Sequence, residues 1–302
     1  MVPCTRLACD RPVESDGQRG AKGVREAREI ALFCLLAFGL SWAIWIPMAL
    51  HGVMVRAGSL PSHMLGLLGP MGAAWLTGWL VSGGAAVRRD WWRRICRLPQ
   101  GVWGWTLALS PAAMIVALLI TQRWIDLGLD PVGMTRFSGL PVLPVPLLFM
   151  VVVLVNGFGE EAGWRGFLLP RLQRRLGPVR GILVQAMLWI AWHAPLFWIV
   201  ATYRAMPVPM ILFGFGLGLV LGGFVLAQVA AVSRGSVPAV ALWHSFYNFG
   251  TATELGGSAA ALLSAAAMVW GGGLLLWALI STQGARAIRV PPPSTKPPPP
   301  PR

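Results

Sequence analysis

The stretch from Val142 to Arg175, VLPVPLLFMVVVLVNGFGEEAGWRGFLLPRLQRR, joins a long apolar run to two adjacent carboxylates, Glu160 and Glu161. The whole chain has only 11 acidic residues among 302. A charge inside a bilayer is costly, so ionisable residues within a membrane span usually face the interior of a helix bundle and are candidates for function. The stretch therefore predicts a membrane helix that carries a polar site.

The composition of the rest of the chain supports a membrane protein. Hydrophobic residues make up 56% of the sequence and charged residues 12%. Apolar runs of about 20 residues, the length that crosses a bilayer, recur along the chain. They lie near residues 30–50, 62–83, 102–120, 140–164, 179–201, 207–231, 236–253 and 258–281. We predict an all-α, polytopic membrane protein with about eight transmembrane helices.

The distribution of basic residues predicts the orientation in the membrane. The net charge of +14 would suggest nucleic acid as the partner of a soluble protein, but here 21 of the 25 Lys and Arg residues fall in alternate loops between the apolar runs. The positive-inside rule places these loops and both termini in the cytoplasm. We therefore expect the lipid bilayer, and not nucleic acid, as a partner. The excess of Arg over Lys is typical of GC-rich bacterial genomes and indicates a bacterial inner membrane.

Three regions are predicted along the chain. Residues 1–29 are polar and of mixed charge, and we expect a cytoplasmic tail without fixed structure. Residues 30–285 form the transmembrane helical domain, whose polar residues concentrate within 140–253. Residues 286–302 end in PPPSTKPPPPPR, a composition that cannot form a packed core, and are predicted to be an extended cytoplasmic tail.

The polar residues of the fourth span have a spacing that separates their roles. Glu161 and Arg165 are four residues apart and can pair along one helix face. Glu160 is turned about 100° away from Glu161 on a helix and has no cation at this spacing. One glutamate is thus predicted to be paired and the other available.

Polar residues of two other spans lie at a similar depth. His244 and Asn248 are four residues apart on the seventh span and point in the same direction. His193 lies on the fifth span, just before Pro195, which cannot donate a backbone hydrogen bond and favours a kink. Each histidine taken alone is more simply explained as a hydrogen-bonded core residue. For the two glutamates, a structural ion-pair cluster with Arg165 is an alternative, although one cation cannot serve two carboxylates.

Taken together, the residues resemble a known family. EEAGWR, from Glu160, matches the EExxxR motif of the CAAX-protease and bacteriocin-processing (CPBP or Abi) family, which includes the Rce1-like prenyl-protein endopeptidases. WIAWH, ending at His193, occupies the place of FxxxH, and HSFYN, from His244, matches HxxxN/D. Trp189 stands where the commoner pattern has Phe, and we expect it to keep an aromatic wall and to alter only the shape of the pocket.

The resemblance implies an Rce1-like helical core and an intramembrane endopeptidase. It makes Glu160, His193, His244 and Asn248 the catalytic set, supported by Glu161 and Arg165. Peptide hydrolysis needs a base for water and donors for the developing oxyanion. We assign Glu160 as the general base, with His193 holding the water. His244 and Asn248 would donate hydrogen bonds to the carbonyl oxygen.

A metal could use the same side chains. His193, His244 and Glu160 would supply three ligands of a zinc ion and leave one position for water. The HExxH pattern of many zinc peptidases is absent, and metal-independent chemistry is favoured. No cofactor is assigned with certainty.

Two other classes of function stay open: a non-catalytic scaffold or immunity-type relative, and a proton-coupled membrane transporter. A transporter also needs Glu and His inside the membrane, but the internal repeats typical of transporters are not found. The expected substrate of the enzyme is a membrane-associated or lipid-linked polypeptide. Cleavage of prenylated CaaX termini is not transferred, since many bacteria lack such substrates, and the oligomeric state is left open.

Overall fold

The computed structural model describes residues 16–81 and 83–293, and residues 1–15, 82 and 294–302 lie outside the described residues. Within those ranges the chain is nearly all helical and has no β-strand, only three isolated bridges between loops. The helices are α1 Asp16–Leu50, α2 Gly69–Leu80, α3 Gly84–Ile95, α4 Gly101–Thr121, α5 Val145–Leu176, α6 Pro178–Trp192, α7 Met210–Val232, α8 Val237–Ala252, α9 Gly257–Ile280 and α10 Thr282–Ala287. The all-α prediction is confirmed.

Each of the eight predicted spans coincides with a helix, but two of them are short. Six helices of the described chain are long and apolar enough to cross a membrane. The second predicted span corresponds to the shorter apolar segment Met64–Leu80, and the seventh to α8, which has 16 residues. At 1.5 Å per residue α8 is about 24 Å long, less than the roughly 30 Å hydrocarbon core. Most residues of α8 are buried, so its neighbours are protein and its length need not match the lipid.

Two ion pairs each join residues near the same end of the predicted spans. At one end Glu29 on α1 pairs with Arg171 near the end of α5 at 2.8 Å. At the other end Arg136, between α4 and α5, pairs with Glu254, between α8 and α9, at 3.1 Å. These are the two sets of loops that the charge count assigned to opposite sides. Which end faces the cytoplasm stays a prediction from the positive-inside rule.

The predicted tails are partly folded, which corrects their boundaries. Residues 16–29 continue α1 as helix because Glu26 and Glu29 find arginine partners at the end of α5. Beyond residue 285, Ile288 and Val290 are buried, and the backbone N–H of Val290 donates to Gln173 at 2.9 Å. The prediction of an unstructured N-terminal tail was therefore wrong for residues 16–29, and the predicted C-terminal boundary at residue 286 moves past Val290, which packs on the helical domain. Residues 1–15 and 294–302 of the two predicted tails lie outside the described residues.

The basic segment after α2 forms the amphipathic helix α3 instead of a loop. Asp90 and Arg94 pair four residues apart at 2.9 Å on its buried face. On the same face, the indole Nε1–H of Trp91 donates to the carbonyl oxygen of Ala162 at 2.8 Å. This bond fixes α3 to the part of α5 that carries the two glutamates.

Glycines on α5 allow its neighbours to approach its backbone closely. They lie at Gly157 and Gly166 against α8, and at Gly159 and Gly163 against the segment Met64–Leu80. A Cβ atom added at Gly163 would lie 2.5 Å from Pro70, so no larger residue fits without displacing α2. Small residues have this role at many membrane helix interfaces. The close approach brings side chains of α8 within reach of the glutamates.

Candidate active site

The two glutamates lie in the centre of α5, on a short α-helical segment between two wider turns. The segment Gly159–Gly163 is preceded by a π-helical segment, Val152–Phe158, and followed by another, Trp164–Leu168. Such π-helical turns are rare and frequently occur at functional sites. Glu160 is 2% exposed and Glu161 is fully buried, so both carboxylates need partners inside the protein.

Glu160 is held by two neutral donors. Its Oε1 accepts a hydrogen bond from Asn156 Nδ2 at 2.8 Å, and its Oε2 accepts one from the indole Nε1 of Trp189 at 2.8 Å. Among the described residues, no cation forms an ion pair with Glu160. Its carboxylate is thus fixed at both oxygens without being neutralised by direct contact.

Glu161 binds the two basic side chains nearest to it, Arg165 and His244. Its Oε1 accepts from Arg165 Nη1 at 2.9 Å, the pairing that the four-residue spacing predicted. The same oxygen accepts from Nδ1 of His244 on α8 at 2.7 Å. The two adjacent carboxylates therefore differ in their partners: the predicted pair of Glu161 with Arg165 is present, and the role of Glu160 stays a prediction.

Asn248 reaches Glu160 through a second amide. Its Nδ2 donates to Oδ1 of Asn156 at 2.6 Å, and Asn156 in turn donates to Glu160. The chain of amides links α8 to α5. Asn248 therefore lies beside the site as predicted, while its observed partner is Asn156.

His193 lies at the end of α6, where the helix breaks. α6 ends at Trp192 and a short helix, Leu196–Ile199, begins directly after Pro195. In this turn Nδ1 of His193 donates to the carbonyl oxygen of Trp189 at 2.7 Å. The break that Pro195 was expected to cause thus aims the imidazole back at the helix that carries Trp189.

The hydrogen-bond partners define where each imidazole carries its proton. A carbonyl oxygen and a carboxylate can only accept, so Nδ1 of both His193 and His244 must be the donor. Nε2 of each ring has no hydrogen-bond partner in the part of the chain that the structure describes. The Nε2 atoms are therefore the positions available to water or substrate.

The predicted zinc ligand set is not arranged to hold a metal. In the described ranges no three or more His, Cys, Asp and Glu side chains form a metal-holding group. Both oxygens of Glu160 are engaged by Asn156 and Trp189. The mechanism proposed below therefore uses no metal.

Two residues of the site were missed or undervalued in the sequence. Asn156 lies four residues before Glu160, the same spacing that separates Glu161 from Arg165, but no role was predicted for it. Trp189 was expected to affect only the shape of the pocket, and this was wrong because its N–H binds Glu160. A buried indole N–H usually needs an acceptor, and that requirement was the signal available in the sequence.

Comparison with known proteins covers the same part of the chain as the site. Residues 142–250 match the family model for type II CAAX prenyl endopeptidases, Rce1-like. The CAAX prenyl protease 2 of Methanococcus maripaludis is 25% identical over 146 residues, which cover 46% of this chain and 52% of that protein. The chain therefore matches about half the length of this relative. The resemblance inferred from the three motifs is confirmed.

Proposed function

We propose that the protein is an intramembrane endopeptidase that hydrolyses peptide bonds of membrane-associated or lipid-linked polypeptides. The match of residues 142–250 to the Rce1-like family model supports this proposal. One observation carries the proposal. Of two adjacent buried carboxylates, Glu161 binds the two neighbouring basic side chains, Arg165 and His244, while Glu160 is held only by neutral donors. A carboxylate that is positioned but not neutralised can act as a base.

The reaction starts with a water molecule between Glu160 and the scissile carbonyl group. Glu160 takes a proton from this water as the oxygen attacks the carbonyl carbon, and Nε2 of His193 accepts the other water hydrogen as a hydrogen bond and orients it. A tetrahedral oxyanion forms. Glu160 then gives its proton to the amide nitrogen, the C–N bond breaks, and the carboxyl and amine products leave.

The oxyanion requires donors, and α8 supplies them. With Nδ1 bound to Glu161, His244 can carry a positive charge and donate from Nε2 to the oxyanion. The second N–H of Asn248 is a further donor, since its first is bound to Asn156. One such donor is worth about 10²- to 10³-fold in rate in other enzymes.

The test of the function is cleavage by the purified protein in lipid vesicles. The probes are a farnesylated peptide with a CaaX terminus and the same peptide without the lipid, and mass spectrometry detects the products. In parallel, the terminal peptides of the membrane proteome are compared between cells with the wild-type protein and cells with Glu160→Ala. We expect new termini that depend on Glu160. Identical termini in both cells, together with an unaltered phenotype of Glu160→Ala, would favour a scaffold instead.

We expect the proteolytic activity to survive metal removal. Both oxygens of Glu160 have protein partners and the described residues form no metal-holding group, so we assign proton abstraction from water to the carboxylate, with His193 orienting the water. The protein is treated with 1,10-phenanthroline, dialysed and assayed with the peptide that it cleaves. Activity within twofold of the untreated protein is the expected result. Loss of activity that added zinc restores would contradict metal-independent hydrolysis.

A further inference from the structure

Trp189 contacts four ionisable groups of the site, all but Glu161. Its indole N–H donates to Glu160 at 2.8 Å, and its ring lies 4.3 Å from the guanidinium carbon of Arg165. The ring centroids of His193 and His244 each lie 5.6 Å from that of Trp189. Its own carbonyl oxygen accepts the Nδ1 hydrogen bond of His193. One side chain thus contacts elements from α5, α6 and α8.

We propose that Trp189 is a positioning residue for the general base, and that its indole N–H fixes Glu160 in the orientation that takes a proton from water. The proposal rests on the proposed function, since it assigns a partner to the base of that reaction. It goes beyond the motif, in which the commoner residue at this position is Phe and has no N–H. In this chain the base is held at Oε2 by a donor that Phe cannot provide.

Burial strengthens the hydrogen bond from the Trp189 indole to Glu160. Trp189 is 6% exposed and Glu160 is 2% exposed, so water competes weakly for either partner, and a hydrogen bond to an ionised acceptor is stronger than one between neutral groups. Asn156 holds only Oε1. Without the indole, the carboxylate could rotate about its terminal bond with one oxygen unrestrained.

The ring face of Trp189 contacts Arg165, which forms the ion pair with Glu161. A guanidinium over an aromatic ring is attracted to it, and Arg165 at 4.3 Å is held in this way while its Nη1 binds Glu161. Trp189 therefore binds the base through its N–H edge and the cation through its ring. Arg165 stays on Glu161, and Glu160 is left without a cationic partner.

The test replaces Trp189 by Phe, the residue of the commoner motif, and measures kcat and KM with the peptide that the wild-type protein cleaves. We expect kcat to fall about 10- to 100-fold, as small misplacements of a reacting group do, with KM changed less than twofold. The matched control is Trp243→Phe. Trp243 is equally buried and its Nε1 donates to Ser110 at 3.2 Å, but it binds no carboxylate, so kcat should be unchanged.

A second variant separates the hydrogen bond from the bulk of the side chain. Benzothienylalanine at position 189 keeps the size of the indole and replaces its N–H by sulfur, and it should reproduce the loss seen with Phe. Wild-type kcat in either variant would overturn the proposal. An inactive wild-type protein would refute the proposed function, whereas activity that depends on Glu160 but not on Trp189 would refute this inference alone.

Discussion

Replacing Glu160 by Gln should lower kcat for peptide cleavage by about 10²- to 10⁴-fold, the usual contribution of a general base. Glutamine has the same shape but cannot take a proton from water. Its amide also fits the site less well, because both carboxylate oxygens of Glu160 accept hydrogen bonds, one from Asn156 and one from Trp189. The NH₂ group of glutamine would face one of these donors.

The assay compares the purified variant and wild-type protein in vesicles with the same peptide. The control is Glu254→Gln, which changes a half-exposed carboxylate that pairs with Arg136 and with no residue of the site. This variant should retain the wild-type kcat. If Glu160→Gln kept more than a tenth of the wild-type rate, the base would have to be sought elsewhere.

Local spacing made part of the site predictable. The four-residue interval between Glu161 and Arg165 predicted a pair, and the structure has it at 2.9 Å. The apolar runs predicted where the helices lie, with an error of a few residues at most ends. Such inferences depend only on the geometry of one helix, which is the same wherever the helix is placed.

The contacts between helices were not predictable in this way. The hydrogen bond from His244 to Glu161 depends on the rotation of α8 about its axis and on its distance from α5, which the glycines of α5 determine. Apolar helices of a membrane protein have little amphipathic pattern that would reveal this rotation. The family resemblance named residues that the structure brings close together, but it did not indicate which glutamate His244 binds.

The N-terminal segment shows a second reason why part of the fold could not be predicted from the sequence. Residues 16–29 have the polar composition of a tail, and composition predicted no structure. Glu26 and Glu29 are nevertheless buried because Arg171 and Arg174 lie opposite them. A polar segment can be ordered by partners that are distant in sequence, and single-segment composition does not contain that information.

The structure also explains how two carboxylates are accommodated side by side. The sequence offers one cation at pairing distance, Arg165, and a single cation cannot neutralise both glutamates. His244, whose Nδ1 lies 2.7 Å from Glu161, would supply a second positive charge when it is protonated. Two carboxylates and two cations would then balance within one buried cluster.

Replacing Glu161 by Gln should be the most destabilising change in the site. It would leave Arg165, which is 2% exposed, without its anionic partner and would remove the negative charge beside His244. Breaking a buried pair in this way costs about 3–5 kcal/mol in other proteins. We expect a loss of this size in the free energy of unfolding, measured by denaturation in mixed detergent micelles, and inactivity at temperatures where the variant is still folded.

A double variant distinguishes the structural from the chemical part of this effect. In Glu161→Met with Arg165→Met, the buried pair is replaced by apolar side chains, a change that is often neutral or stabilising. Stability should therefore return toward that of the wild-type protein. Activity should not return, because His244 would still lack the carboxylate that favours its positive charge. A single Glu161→Gln variant that loses less than about 1 kcal/mol, within the range of exposed pairs, would show that Arg165 and His244 do not depend on this carboxylate.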